Sequence, residues 1–171
     1  MRRPIIILLT ATAIALLFAA CHQTPVIDTE RTAEPSLKEN LINANRYMAK
    51  SEEQQIVSYI ERRGWTMQTL GSGVRLLETK RGTGGAIDYE DTVSVSYRLE
   101  AINGVVIYDQ HSETFVAGRG QTVRGLDVAV RHLRHGSQAT IILPSEQAYG
   151  VVGDGDRVPT RAILIYYLTV Q

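Results

Sequence analysis

The chain has one cysteine, one tryptophan, two phenylalanines and five prolines among its 171 residues. A lone cysteine cannot close an internal disulfide, so the fold must rest on its hydrophobic core. Neither sign of charge prevails: 18 lysines and arginines face 18 aspartates and glutamates. That balance removes the electrostatic case for a nucleic-acid partner. No paired carboxylates, no nucleophile beside a base, no internal repeat and no low-complexity tract stand out. The sequence points to no metal and no cofactor. His132 and His135 lack a third ligand at a telling spacing and sit between arginines at a helix end. Asp154-Gly155-Asp156 lacks the remaining ligands of a calcium loop. Arg81-Gly-Thr-Gly-Gly85 lacks the Lys-Ser/Thr and the helix of a phosphate loop. What the chain does offer, between residues 125 and 166, is tyrosines and aliphatics at turns and strand ends. Such a run suits a site that surrounds its ligand with apolar surface.

The longest apolar run, Ile5 to Phe18, is too short for a comfortable transmembrane helix. With Arg2 and Arg3 before it and Ala19-Ala20-Cys21 after it, it reads as a secretory signal over residues 1–20. Leu17-Phe18-Ala19-Ala20-Cys21 resembles a bacterial lipoprotein box, which implies cleavage before Cys21 and lipid on that residue. Without Arg2 and Arg3, 16 basic residues face 18 acidic ones, so the mature chain stays near neutral. About 150 residues then remain, enough for one domain and an extension. Residues 21–35 are polar and aperiodic and read as a flexible tether.

Residues 36–64 read as a helical extension of two helices. Ser36 with Glu39 and Ser51 with Gln54 form capping-box patterns. Leu37, Leu41, Ala44 and Met48 share one face of the first helix, and Ile56 and Ile60 share one face of the second. Arg62 and Arg63 suit the end of the second, and Gly64 suits its stop. The stripes are narrow, so the pair packs on the following domain or on a second copy of itself.

From Trp65 the pattern turns to β. Strands are expected at Trp65–Met67, Val74–Glu78, Val93–Glu100, Val105–Tyr108, Ala139–Leu143 and Ala162–Val170. Val93, Val95, Tyr97 and Leu99 alternate with polar residues, which marks a half-buried strand. Asn103-Gly104 is a hairpin signal. One short helix carries Leu126, Val130 and Leu133 on one face, and Gly136 closes it. The fold class is therefore α+β: an antiparallel sheet of five or six strands covered by one short helix.

Several motifs in order carry a resemblance. They are Val95-Ser96-Tyr97, Asn103-Gly104 with Tyr108-Asp109, Phe115-Val116-Ala117-Gly118, Val123-Arg124-Gly125-Leu126, Leu143-Pro144-Ser145 with Ala148-Tyr149-Gly150, Val158-Pro159 and Leu164-Ile165-Tyr166. Over residues 72–171 the chain resembles the FK506-binding-protein family of peptidyl-prolyl isomerases. With its lipid signal and helical extension it resembles the exported lipoprotein members found in Bacteroidetes, some of them associated with gliding motility. The resemblance implies a bent sheet wrapped around one short helix, with the isomerase domain at 65–171.

It also implies a pocket. Tyr97 stands on its wall, Leu126 on its floor and Tyr108 at an aromatic position followed by the family's acid, Asp109. Phe115 belongs to the matching motif. The Val123 amide meets the substrate carbonyl, and the Tyr149 hydroxyl bonds the substrate backbone. Val158 and Tyr166 close the far side. Four departures stand out. Leu126 replaces a frequent tryptophan. An extra residue before Tyr108-Asp109 implies a bulge that shifts Asp109. A short loop at Gln110–Glu113 leaves no counterpart for the arginine that often pairs with the acid, and Glu113 falls near a frequent phenylalanine. Acids at Asp154 and Asp156 replace histidine and aliphatics. The implied partners are Xaa-Pro segments of exported proteins and, through Cys21, an envelope membrane, the outer one facing the periplasm being preferred. A homodimer through residues 36–63 is a further expectation, and nucleic acid is not. The alternative to an enzyme is a non-enzymatic chaperone or envelope-assembly module on the same fold.

Overall fold

The computed structural model describes residues 36–171. The expected signal at 1–20, the expected lipidation at Cys21 and the expected tether to residue 35 lie outside the described residues. Asn40–Gln171 form one compact unit, and Ser36–Glu39 are the described part of another.

The extension is one helix, α1 (Leu37–Arg63), rather than two. Its first capping box is real: the Ser36 N–H donates to Glu39 Oε2 at 2.9 Å and the Glu39 N–H to Ser36 Oγ at 3.3 Å. The second, at Ser51, lies inside the helix, because the preceding Met48-Ala49-Lys50 favours helix and no glycine or proline interrupts it. Leu37, Leu41 and Met48 are exposed. Only the C-terminal half of α1 is buried, through Glu52, Ile56 and Tyr59.

Six antiparallel strands follow: β1 (Gln68–Thr69), β2 (Arg75–Lys80), β3 (Thr92–Ala101), β4 (Val106–Val116), β5 (Gln138–Leu143) and β6 (Leu164–Val170). They form one sheet in the order β1-β2-β5-β6-β3-β4. Trp65–Met67 is not a strand; the short ladder starts at Gln68. Trp65 instead sets its ring edge-on to Tyr59 at 5.8 Å, with Arg63 over it.

Helix α2 (Arg124–Val130) covers the inner face of the sheet. Val93, Val95, Leu99, Leu164, Leu168 and Val170 meet Leu126, Val130 and Leu133 there. Gly125 is required by close approach, since a Cβ there would lie 2.6 Å from the Leu143 side chain and 3.0 Å from the Gln147 carbonyl. The outer face is covered as well. Ile142, Ile163 and Ile165 pack with Ile56 and Tyr59 of α1, and Trp65, Met67 and Tyr167 border them. Five core side chains of this size are worth about 8–15 kcal/mol of gross burial before the entropy of ordering is subtracted.

One polar contact ties the outer cover to the inner loops. Glu52 of α1 is buried, and its carboxylate accepts the Ser145 N–H at 2.9 Å and the Ser145 hydroxyl at 2.6 Å. Ser145 opens the turn that leads to Tyr149, and its carbonyl accepts the N–H groups of Ala148 and Gly150.

Candidate functional site

Strands β3, β4 and β6, helix α2 and the loop 144–160 converge on a cluster of tyrosines. Tyr97 faces inward from β3 and meets Tyr166 of β6 edge-on, at 4.9 Å between ring centroids. Leu126 at the start of α2 is fully buried, and Phe115 and Val158 are nearly so. Tyr108, Val123 and Tyr149 are half-buried around this floor. The result is an aromatic and aliphatic floor bordered by half-buried side chains. Eight of the nine residues expected at the site, all but Asp109, pack on this one cluster.

Asp109 lies elsewhere. β4 continues through Gln110–Glu113, the stretch expected as a loop, and pairs with β3 along its length. Tyr97 pairs with His111, Leu99 with Tyr108 and Glu100 with Val106, so β4 carries one extra residue in each interval. These bulges keep Tyr108 against the core and turn Asp109 outward, where its side chain is 85 % exposed and pairs with Arg98 Nε at 3.4 Å. There it lines a shallow groove of about 370 Å³ with Ser96, Arg98 and Thr169, which Tyr97 and His111 also border. The implied bulge is present, and it removes Asp109 from the cleft.

Glu113 takes the acid's place inside. It pairs with Val95 across the sheet, on the inward side, and is half-buried. The Thr122 hydroxyl donates to it at 3.2 Å, and so does the Tyr97 hydroxyl. Burial raises the Glu113 carboxyl above the ordinary glutamate value, and these two donors and His111 only partly offset it. His111 lies against Tyr97 and Tyr108, with ring centroids at 5.3 and 5.1 Å.

Tyr166 is deeply buried, its hydroxyl interacts with that of Tyr149, and burial raises it well above its ordinary value. Burial first, then the charges of Glu113 and Asp154, raise the Tyr149 hydroxyl above its ordinary value, so it is a proton-bearing donor at neutral pH. Burial first, then the Glu113 charge, does the same for Tyr97. The Val123 carbonyl starts α2 by accepting the N–H groups of Leu126 and Asp127. Among the described residues the Val123 N–H meets no protein acceptor.

The loop after Tyr149 is held by Asp154. Its Oδ1 accepts the N–H groups of Asp156, Arg157 and Val158 at 2.9, 2.9 and 2.7 Å, and the Tyr108 hydroxyl reaches Oδ2 at 3.4 Å. Burial pushes this carboxyl up, but the backbone donors outweigh it and hold it below the usual carboxylate range. Gly153 adopts φ +77° and passes against the Val158 carbonyl, where a side chain has no room. The Arg157 guanidinium lies 5.3 Å from the centre of the Tyr108 ring.

The contact between Glu52 and Ser145 has no counterpart in the sequence reading. The consecutive apolar residues of Ile141–Leu143 and Ile163–Tyr167 were its signal: a strand apolar on both sides needs a second cover.

Residues 84–171 match the sequence profile described as "FKBP-type peptidyl-prolyl cis-trans isomerase". The chain belongs to this family. It is 31 % identical over 106 residues to "Probable FKBP-type 25 kDa peptidyl-prolyl cis-trans isomerase" of Pseudomonas aeruginosa, covering 62 % of this chain and 46 % of that one. It is also 31 % identical over 104 residues to "Probable FKBP-type peptidyl-prolyl cis-trans isomerase FkpA" of Neisseria meningitidis, covering 58 % and 38 %. The chain thus spans less than half the length of these two relatives. In fold it is similar to a peptidyl-prolyl cis-trans isomerase crystal structure from Pseudomonas syringae pv. tomato, with a TM-score of 0.61, 24 % identity and coverage of 73 % and 92 %.

Proposed function

We propose that this chain catalyses cis-trans isomerisation of Xaa-Pro bonds in the tyrosine cleft. The observation that carries the reading is an apolar floor of Tyr97, Phe115, Leu126, Val158 and Tyr166 with the half-buried Tyr149 hydroxyl and the Val123 backbone at its border.

Rotation about a peptide bond meets a barrier of about 18–20 kcal/mol, because resonance stiffens the C–N bond. At the twisted transition state that resonance is lost and the carbonyl is less polar. An apolar cleft binds this state better than the planar, strongly dipolar ground state. A thousandfold acceleration needs about 4 kcal/mol of such difference. Val123 and Tyr149 hold the peptide backbone, and no proton transfer or covalent bond is involved.

Protease-coupled turnover of an Xaa-Pro peptide panel, with Tyr149→Phe as control, tests the reading. Acceleration that falls with the lost hydroxyl supports it. A folded protein that binds peptide without accelerating exchange supports the non-enzymatic chaperone or envelope-assembly module instead.

The setting is part of the proposal. Lipid on Cys21 anchors the protein to the cell envelope, the outer membrane being preferred, as an exported Bacteroidetes-type lipoprotein assisting the folding of exported proteins. Cys21→Ser should release it from the membrane fraction. The exposed Leu37, Leu41 and Met48 on α1 are the surface that a second copy would use, and a sizing experiment with and without residues 22–64 tests that.

A further inference from the structure

We propose that Glu113 and Asp154 make this cleft select prolyl bonds flanked by lysine or arginine. The inference rests on the proposed prolyl-binding role of the tyrosine cleft and concerns only which peptides it prefers.

The two carboxylates come from different elements, Glu113 from β4 and Asp154 from the loop after Tyr149, and the charges of both act on the Tyr149 hydroxyl. They therefore flank the donor that holds the substrate backbone. Their partners differ in a telling way. Asp154 is tied by three backbone N–H groups and a tyrosine, so its position is fixed and its charge retained. Glu113 is half-buried, yet its two hydrogen bonds come from neutral hydroxyls. Among the described residues no lysine or arginine lies within ion-pair distance of it. Burying a carboxylate without a cation is costly. At a cleft wall, a cation brought by the ligand offsets that cost.

The surrounding charges leave room for one. Glu113 and Asp154 border the cleft with His111, and beyond them Asp156 is paired with Arg157 at 3.8 Å. Arg157 is also a pattern for the ligand. It shows that the Tyr108 face, beside Asp154, accepts a guanidinium. The other nearby acid, Asp109, is outside the cleft and already paired with Arg98.

The test uses the purified protein and two peptide series, with Lys, Arg, Leu or Glu placed before or after the proline. Isomerisation is followed by NMR exchange, and binding of the same peptides is titrated in parallel. In at least one series kcat/KM should be on the order of tenfold higher for Lys and Arg than for Glu, with Leu between, the size expected of two partly screened charge contacts. The ratio should shrink at raised salt and collapse in the Glu113→Gln, Asp154→Asn double variant. Asparagine keeps the Oδ1 that organises the loop, so loss of the ratio there is not loss of the fold. Equal values for Lys, Leu and Glu in both series, or a ratio unchanged in the double variant, overturn the proposal. If no peptide is turned over, the enzyme reading fails and binding decides: the same ranking in affinity sustains the proposal, and equal affinities overturn it.

Discussion

The two faces of the sheet are built from alternate residues of the same strands, and they are finished in opposite ways. The outer face is closed where α1 crosses it: Ile142, Ile163 and Ile165 are buried with Ile56 and Tyr59, and Tyr59 meets Trp65 edge-on. The inner face is closed at its centre by α2 and left open at one end. There Tyr108, Val123 and Tyr149 are half-buried. One face spends its apolar residues on stability. The other withholds part of its surface from folding. The difference separates the residues whose loss should cost stability from those whose loss should cost activity.

The sharpest break of the comparison is on the closed side. Ile56→Ala removes a fully buried side chain from the outer cluster. It should cost about 2–4 kcal/mol in urea unfolding, while turnover per folded molecule stays within twofold. A large loss of turnover at full folding would mean that the two faces are not separate.

Glu52→Ala tests a contact that joins them. It strips acceptors from the buried Ser145 N–H and hydroxyl. We expect a loss of about 2 kcal/mol in stability. Because Ser145 leads directly into the Tyr149 turn, kcat/KM should fall as well. Glu52→Gln, which keeps one acceptor, should restore part of both.

On the open side, Tyr149→Phe should lower kcat/KM by about tenfold or more, the value of one hydrogen bond to the transition state. Its stability cost should be smaller, about 1 kcal/mol, and arises because the buried Tyr166 hydroxyl loses its hydroxyl partner. An unfolding midpoint that drops as far as for Ile56→Ala would show that Tyr149 is a core residue.

The smallest effect is a gain. Burial raises the Glu113 carboxyl in the folded chain, so the folded state holds that proton more tightly than the unfolded state. Stability contributed by Glu113 is therefore present below its ordinary value of 4.5 and falls as pH rises through the raised folded value. Glu113→Gln should raise the melting temperature at pH 7 by on the order of 2 °C, and the gain should vanish near pH 4. A melting temperature lowered at pH 7 would mean that the hydroxyl donors outweigh burial.

The inner face was the legible one. Alternation in Val93–Leu99 and Leu164–Val170 is the direct print of one buried side, and it located both strands and their inward residues. The cleft residues followed from ordered motifs, except where register intervened. Gln110–Glu113 reads as a loop because its inward residues, His111 and Glu113, line a cleft and its outward ones meet water. Neither condition leaves a hydrophobic period. Asp109 was misplaced for the same reason, since a bulge changes which side a residue faces without changing its neighbours in sequence. The single helix α1 was hidden by a second capping pattern at Ser51, a local signal that an uninterrupted run of helix formers overrode.

The two bulges of β4 act together like a pair of compensating frameshifts. Each inserts one residue into the pleat between Val106 and His111, and the two sum to a full period, so the strand returns to its original frame at His111. A single deletion in this interval would not shorten a loop. It would change the frame of every residue on one side of the cut, and with it the choice of which carboxylate looks into the cleft and which looks out.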